Sequence, residues 1–343
     1  MTGCSVRDVE ELETLLSEPT EGVIKTMSEL RGDIIVLGVS GKMGPSLARM
    51  AKRASDGAGI NRRVIGVSRF TKKNSETALN AFGIDTIKCE MLDGQQLESL
   101  PDVPNVVYMA GMKFGSTGNE SLTWATNTYL PGMVAQKYRN SKIVAFSTGN
   151  IYGLNPVVWG GPRETDPLRA DGDYAQSCLG RERILEHFSR TQETPMSIIR
   201  LNYANELRYG VLVDLAKKVY SGEVIDITMG AVNVIWQGDA NAMSLMSFNQ
   251  ASHPPFVVNV AGPEIMSVRR ICEEFGSLMG KPVSFTGTEA HDALLSNGQL
   301  AHKLYGYPKI STKPMMEMIA DWVMRGEASL GKPTSFEARD GKY

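Results

Sequence analysis

The sequence predicts an α/β protein: a doubly wound parallel sheet with helices on both faces, and a smaller α+β lobe interleaved with its second half. Three observations predict it. Short apolar runs alternate with amphipathic helical stretches through the first 200 residues, the order that builds a parallel sheet. The first of these runs ends in a glycine-rich turn that opens a helix, and beyond Arg200 the strict alternation lapses. At 343 residues and 42% hydrophobic content the chain holds two domains, or one large unit with an appended lobe.

Residues 1–30 carry apolar positions at helical spacing (Val9, Leu12, Leu15, Leu16, then Val23, Ile24, Met27, Leu30) among many glutamates. Two short helices are expected, as a packing extension or lid, with a subunit interface as the alternative. Residues 33–50, DIIVLGVSGKMGPSLARM, carry the strongest local signal in the chain. An apolar run, 34–37, stops at Gly38, and Gly38, Gly41 and Gly44 in G-x-x-G-x-x-G spacing lead into a helical run from Pro45. Strand, tight turn and helix in that order point to a dinucleotide site. The first glycine allows the bend, the second lets the main chain approach a pyrophosphate, and the third lets the helix lie close to the strand. The turn residues Gly38, Ser40, Gly41, Lys42, Met43 and Gly44 are thus expected to bind the cofactor at the positive end of the helix dipole.

Residues 63–70, RVIGVSRF, read as the second strand. A carboxylate at its end would bind the ribose hydroxyls of NAD, but Ser68 and Arg69 stand there. Both donate to a 2′-phosphate, arginine with a bidentate fork, so NADP(H) is favoured with NAD(H) the alternative. After the third strand, 85–89, Leu92 and Asp93 are expected at the adenine edge. The fourth, 105–109, ends in Ala110 and Gly111, small enough for a cofactor to lie close, and Lys113 extends toward a phosphate or ribose. Residues 119–140 read as a helix containing Asn127. The fifth strand, 142–147, runs into STGNIYG (147–153). A Gly- and Pro-rich loop, 153–172, then precedes a helical segment, 174–189, opening YAQSC.

These features together resemble the extended short-chain dehydrogenase/reductase superfamily in its NAD(P)-dependent epimerase/dehydratase branch. The features are the glycine turn, the AGMK after strand four, the STGNIYG after strand five and a tyrosine opening the next helix. IIRLNY (198–203), NVIWQGDA (233–240) and VVNVAG (257–262) extend the likeness to about residue 325. The resemblance implies a Rossmann-type domain over 31–203 plus about 232–262, and a substrate-binding lobe over about 204–231 plus 263–325. The N-terminal 30 residues and a tail, 326–343, have no counterpart. By position, Thr148 matches the hydroxyl that orients the substrate oxygen and Tyr174 the catalytic acid/base. Asn127 and the helix face bearing Tyr174 and Cys178 are implied to meet the cofactor. Redox chemistry at a secondary alcohol needs a hydride carrier over the carbon and a base within about 3 Å of the hydroxyl proton, so these assignments are coherent.

One departure stands out. Four residues after the tyrosine the family places a lysine that binds the nicotinamide ribose and favours the deprotonated tyrosine; here Cys178 occupies that position. An unperturbed tyrosine ionises near pH 10, so a neutral thiol gives no help at neutrality. Four accounts compete. Lys113 substitutes, in preference to Arg181, which lies about 10 Å further along the helix; or the enzyme works in the reductive direction; or the protein is a catalytically impaired NADP(H) sensor; or Cys178 is itself a nucleophile.

In the lobe, Arg208, Tyr209 and Trp236 are expected at the substrate, together with Asn202 at a strand end and Lys113, Thr148, Gly149 and Asn150. The lobe offers no clustered basic pair for a nucleotide diphosphate except Arg269-Arg270, which reads as solvent-facing. A free sugar, sugar acid or related small polyhydroxy compound is therefore favoured over a nucleotide sugar, which stays the alternative. Thirty-six basic against 38 acidic residues give a net charge of −2, with no field for nucleic acid or an anionic membrane. No apolar run has the length of a membrane span. Four scattered cysteines suit reduced thiols in the cytoplasm, and neither they nor His187, His253, His291 and His302 have metal-ligand spacing, so no metal is expected. The resemblance implies a homodimer.

Overall fold

The computed structural model describes residues 5–71, 74–113, 115 and 117–341. The thiol of Cys4 and the extreme ends of the N-terminal extension and the tail lie outside them. In chain order the helices are α1 (Val9–Leu16), α2 (Glu21–Glu29), α3 (Gly44–Gly57), α4 (Ser75–Ala81), α5 (Gly94–Glu98), α6 (Glu120–Trp124), α7 (Leu130–Lys137), α8 (Gly172–Gln192), α9 (Val211–Ser221), α10 (Gln237–Met246), α11 (Val268–Met279), α12 (Gln299–Tyr305) and α13 (Thr312–Met324). The main-sheet strands are β1 (Ile34–Leu37), β2 (Val64–Ser68), β3 (Asp85–Lys88), β4 (Asn105–Tyr108), β5 (Lys142–Thr148), β6 (Met196–Leu201) and β7 (Phe256–Val260).

All seven strands run parallel in the order β3-β2-β1-β4-β5-β6-β7, with Ile34 opposite both Val64 and Asn105. Every residue of β1 and β4 is buried, as expected of strands covered on both faces. On one face α2, α3 and α10 pack through Val23, Met27, Leu47 and Met243; on the other, α7 and α8 pack through Val134 and Leu185. The strand order reverses direction between β1 and β4, which opens a crevice at their carboxyl ends. A separate apolar core gathers α1, α9, α11 and α13 around Leu12, Val219, Phe275, Ile319 and Trp322. The N-terminal extension therefore packs: α1 is held by an Asp8 cap and buries Leu12 and Leu16. No helix of the described residues is long and apolar enough to cross a membrane.

Three local features go beyond what the sequence predicts. The single helix over 119–140 is α6 and α7 joined by a π turn, Ala125–Tyr129. Pro131 has no N–H to give the carbonyl of Asn127, and Arg181 Nε donates to that carbonyl instead, at 3.2 Å. Next, β6 ends at Leu201, short of Tyr203, whose φ of +36° turns the chain out of the sheet. Finally, the tail beyond 326 is an ordered strap: Phe336 is 1% exposed within the α9–α13 core.

Candidate active site

The glycine turn divides its work unequally. Gly38 has φ +92°, and a β-carbon there would stand 2.7 Å from the amide nitrogen of Ala110, just past the end of the neighbouring strand β4. One at Gly44 would stand 2.2 Å from the carbonyl oxygen of Val39, so the helix start is pressed against its own turn. A β-carbon on Gly41 would meet only the Gly38 oxygen, at 3.3 Å, leaving that face open to the crevice. The first turn of α3 has no side-chain cap, and the Ser40 hydroxyl is buried without a hydrogen-bond partner. Uncapped amides, an orphaned hydroxyl and an open glycine face together fit a pyrophosphate.

From this turn the crevice runs two ways. Its outer part, about 670 Å³, is lined by Ser68, Arg69, Glu90, Met91 and Leu92 at the ends of β2 and β3. Arg69 lies 3.6 Å from Glu90. Asp93 is not at this wall. It caps α5, accepting from the amides of Gln95 and Gln96, and the hydrogen bonds from the Gln96 side chain and backbone hold its carboxyl below the ordinary range. The wall where the adenine edge is expected carries Glu90, three residues earlier than the expected carboxylate, because a capping aspartate is consumed by its helix.

The inner part, about 260 Å³, holds Thr148, Asn150, Tyr174, Lys113, Lys42 and Met43. Thr148 closes β5 and donates to Asn150 Oδ1 at 2.9 Å while accepting from the Asn150 amide at 3.2 Å. Tyr174 projects from the first turn of α8. Lys113 Nζ lies 5.9 Å from the Tyr174 ring centre and donates to the Thr334 carbonyl at 3.2 Å. Burial pushes the Lys113 ammonium down to about 8, with Cys178 and Asp214 acting in the opposite sense. Lys42 leaves the glycine turn to donate to the Ala204 carbonyl at 2.5 Å, 4.2 Å over the Tyr209 ring, and burial pushes it down to about 7.

Several expected contacts are placed elsewhere. Cys178 is 1% exposed behind Tyr174, whose side chain hydrogen-bonds its thiol, and burial raises that thiol, so it lines no part of the cavity and does not suit a nucleophile. Asn127 is wholly buried. Its side chain accepts from Met112 N–H (2.8 Å) and Arg181 Nη2 (2.8 Å) and donates to Met112 O (2.9 Å) and Ser177 Oγ (3.0 Å). It therefore shapes the Gly111–Lys113 corner without facing a ligand. Gly111, by contrast, lines both parts of the crevice, with a close fit beside Arg181, where a β-carbon would stand 2.7 Å from Nη2. Gly149 lies behind Thr148, where a β-carbon would stand 2.6 Å from Ser296 Oγ. Asn202 is buried and donates to Asn233 Oδ1 at 2.7 Å. Arg208 pairs with Glu13 of α1 at 2.6 Å and with Glu206 at 3.1 Å. Trp236 is 2% exposed in the α9–α13 core, where its large apolar surface is best covered.

Tyr209, expected in the substrate pocket, lines the inner cavity, whereas sequence reasoning missed Tyr203 and the strap. Leu330, Lys332 and Thr334 line the crevice from the C-terminal tail. Asp214 of α9 holds the strap by accepting from both the amide and the hydroxyl of Thr334, each at 2.7 Å, and Lys218 pairs with Glu337 at 2.5 Å. Nothing in the tail's polar composition marks this, since its anchors lie more than 100 residues away.

A crevice at the switch point of a parallel sheet, with a pyrophosphate-type turn, a threonine and a tyrosine on one wall, defines a dinucleotide-dependent α/β enzyme. The chain belongs to the NAD dependent epimerase/dehydratase family, whose model matches residues 34–229. Its fold is similar to that of dTDP-glucose 4,6-dehydratase from Bacillus anthracis in complex with NAD, at TM-score 0.70 and 16% identity over 87% of this chain and 98% of that one. It is likewise similar to UDP-glucuronic acid 4-epimerase from Bacillus cereus in complex with UDP-glucuronic acid and NAD (0.70, 15%, 85% and 99%). UDP-glucose 4-epimerase from Thermotoga maritima with UDP-glucose gives 0.71 at 18% identity, over 86% and 99%. No curated protein sequence matches the chain. The protein is an NAD(P)-binding enzyme of the epimerase/dehydratase family.

Proposed function

We propose that the enzyme oxidises, reduces or epimerises a secondary alcohol or carbonyl carbon of a small polyhydroxy compound such as a sugar or sugar acid. The observation that carries this is the meeting of Thr148, Tyr174 and Lys113 on one cavity of about 260 Å³, continuous with the glycine turn. The bound nicotinamide supplies or accepts the hydride. Thr148, with one proton to give and lone pairs to accept with, orients the substrate oxygen, and Asn150 fixes its rotamer. Tyr174 takes the hydroxyl proton in oxidation and returns it in reduction. Lys113 provides near Tyr174 the positive charge that the helix position of Cys178 does not.

The strap favours a small substrate. Thr334 already lines the inner cavity and Phe336 fills the neighbouring core, which leaves a nucleotide-linked sugar little room. The nucleotide-sugar reading rests on the similar folds alone. Ser68 and Arg69 at the outer wall favour NADP(H), although Glu90 beside Arg69 weighs the other way. An apolar groove between α6–α7 and α8, lined by Trp124, Tyr129, Gly132, Ile184 and Phe188, suits a second copy in a homodimer. Buried free thiols at Cys89, Cys178 and Cys272 suit a reducing cytoplasm. The test is a panel of sugars, sugar acids and nucleotide sugars, monitored by reduced-nicotinamide absorbance with either cofactor. Turnover by a small polyhydroxy compound is expected; turnover of nucleotide sugars alone contradicts the reading.

A further inference from the structure

Lys42 is an unusual wall for this cavity. Its side chain crosses from the glycine turn to the lobe, and its partners there are a carbonyl oxygen, of Ala204 at 2.5 Å, and the face of Tyr209 at 4.2 Å. Among the described residues no carboxylate lies within 4.0 Å of its ammonium. The nearest acid by influence, Glu206, is committed to Arg208 at 3.1 Å and to the Arg208 amide at 3.0 Å. Asp214 is committed to Thr334 through both its amide and its hydroxyl. Lys113 lines the same cavity, close enough for its charge to act on Lys42. A buried cation held by neutral groups is left under-compensated, and a ligand anion is the group that compensates it.

We propose that Lys42 and Lys113 form an anion subsite, so that the substrate is a small polyhydroxy compound carrying a carboxylate or a phosphate monoester. Its charged end lies against Lys42 beside Tyr209, and its reacting carbon faces Thr148 and Tyr174. This rests on the redox reading of the site. Burial that pushes Lys42 down to about 7 agrees with it, because the ammonium, flanked by Glu206, Arg208, Lys113 and Asp214, is restored by an incoming anion. The ammonium spends its hydrogen bond on the lobe, at the Ala204 carbonyl, and the cofactor-affinity arm of the test below separates this role from binding the cofactor diphosphate.

The test compares wild type with Lys42→Gln and Lys42→Arg, using aldonates, aldose phosphates and uncharged aldoses as probes. Two readouts are taken: steady-state kinetics, and the melting temperature of the cofactor-loaded protein. Wild type is expected to prefer the acidic class; which acid wins distinguishes carboxylate from phosphate. Lys42→Gln should lower the acidic-to-uncharged ratio of kcat/KM by about 10- to 100-fold, the worth of a charged hydrogen bond, mainly through KM. Lys42→Arg should recover part of it. Equal use of acidic and uncharged compounds by wild type, an unchanged ratio in Lys42→Gln, or an equal loss of affinity for the cofactor overturns the subsite. If no compound turns over, the redox reading fails by itself. Acids that raise the melting temperature of wild type but not of Lys42→Gln then still uphold the subsite, and acids that raise neither overturn it.

Discussion

The ammonium of Lys113 stands 5.9 Å from the ring centre of Tyr174, although the two residues lie on different elements, one past the end of β4 and the other on the first turn of α8. In the proposed mechanism this charge, delivered from the sheet, acts on Tyr174 in place of one at the helix position of Cys178, and Arg181 of the same helix adds its own charge from the cavity wall. The strap contributes as well, since the Thr334 carbonyl holds the ammonium at 3.2 Å.

Replacing Lys113 with Met is expected to slow alcohol oxidation at pH 7 by about 100-fold, the low end of what positioned acid–base catalysis contributes. Burial lowers Lys113 to about 8, so it is charged below that pH and neutral above it. The gap between wild type and variant should therefore be widest below pH 8 and narrow above it. A kcat profile from pH 6 to 10 (roughly the span around an ordinary tyrosine and lysine) checks this; a gap that widens with pH contradicts it.

Tyr174→Phe removes one hydroxyl and little volume. Turnover should fall by about 100-fold or more in both directions, while the cofactor Kd changes less than about threefold. Single-turnover absorbance and calorimetry measure the two separately. Unchanged turnover would remove the tyrosine from the chemistry.

Arg69→Gln tests the outer wall. Loss of a charged donor to a 2′-phosphate should weaken NADP(H) by about 10-fold or more and leave NAD(H) nearly unchanged. Equal effects on both cofactors would assign Arg69 to its neighbour Glu90 alone.

Phe336→Ala tests whether the strap is structural. A side chain 1% exposed in an apolar core should cost about 3–5 kcal/mol when truncated. Urea unfolding measures it, and a loss below about 1 kcal/mol would mean that the strap is only laid on the surface.

The sheet was legible because each buried parallel strand is a short apolar run bounded by turn residues, and the glycine turn could be placed between one strand and one helix. Thr148 and Tyr174 were legible as positions in a pattern, and the structure brings both to one cavity. What the pattern does not encode is which of several polar side chains spends its hydrogen bonds on the protein itself. Asp93 spends them on a helix cap, Asn127 on the Met112 backbone, Asn202 on Asn233 and Arg208 on two glutamates. The strap was illegible for a related reason. Its role depends on Asp214 and Lys113, which meet residue 334 only after the chain has folded.

The most direct measurement is calorimetric titration of ligand-free protein with NADPH and with NADH. One saturable site per chain is expected, abolished when Gly41→Val fills the open face of the turn. No heat and no melting shift with either dinucleotide, or binding that survives Gly41→Val undiminished, would contradict the account at its root.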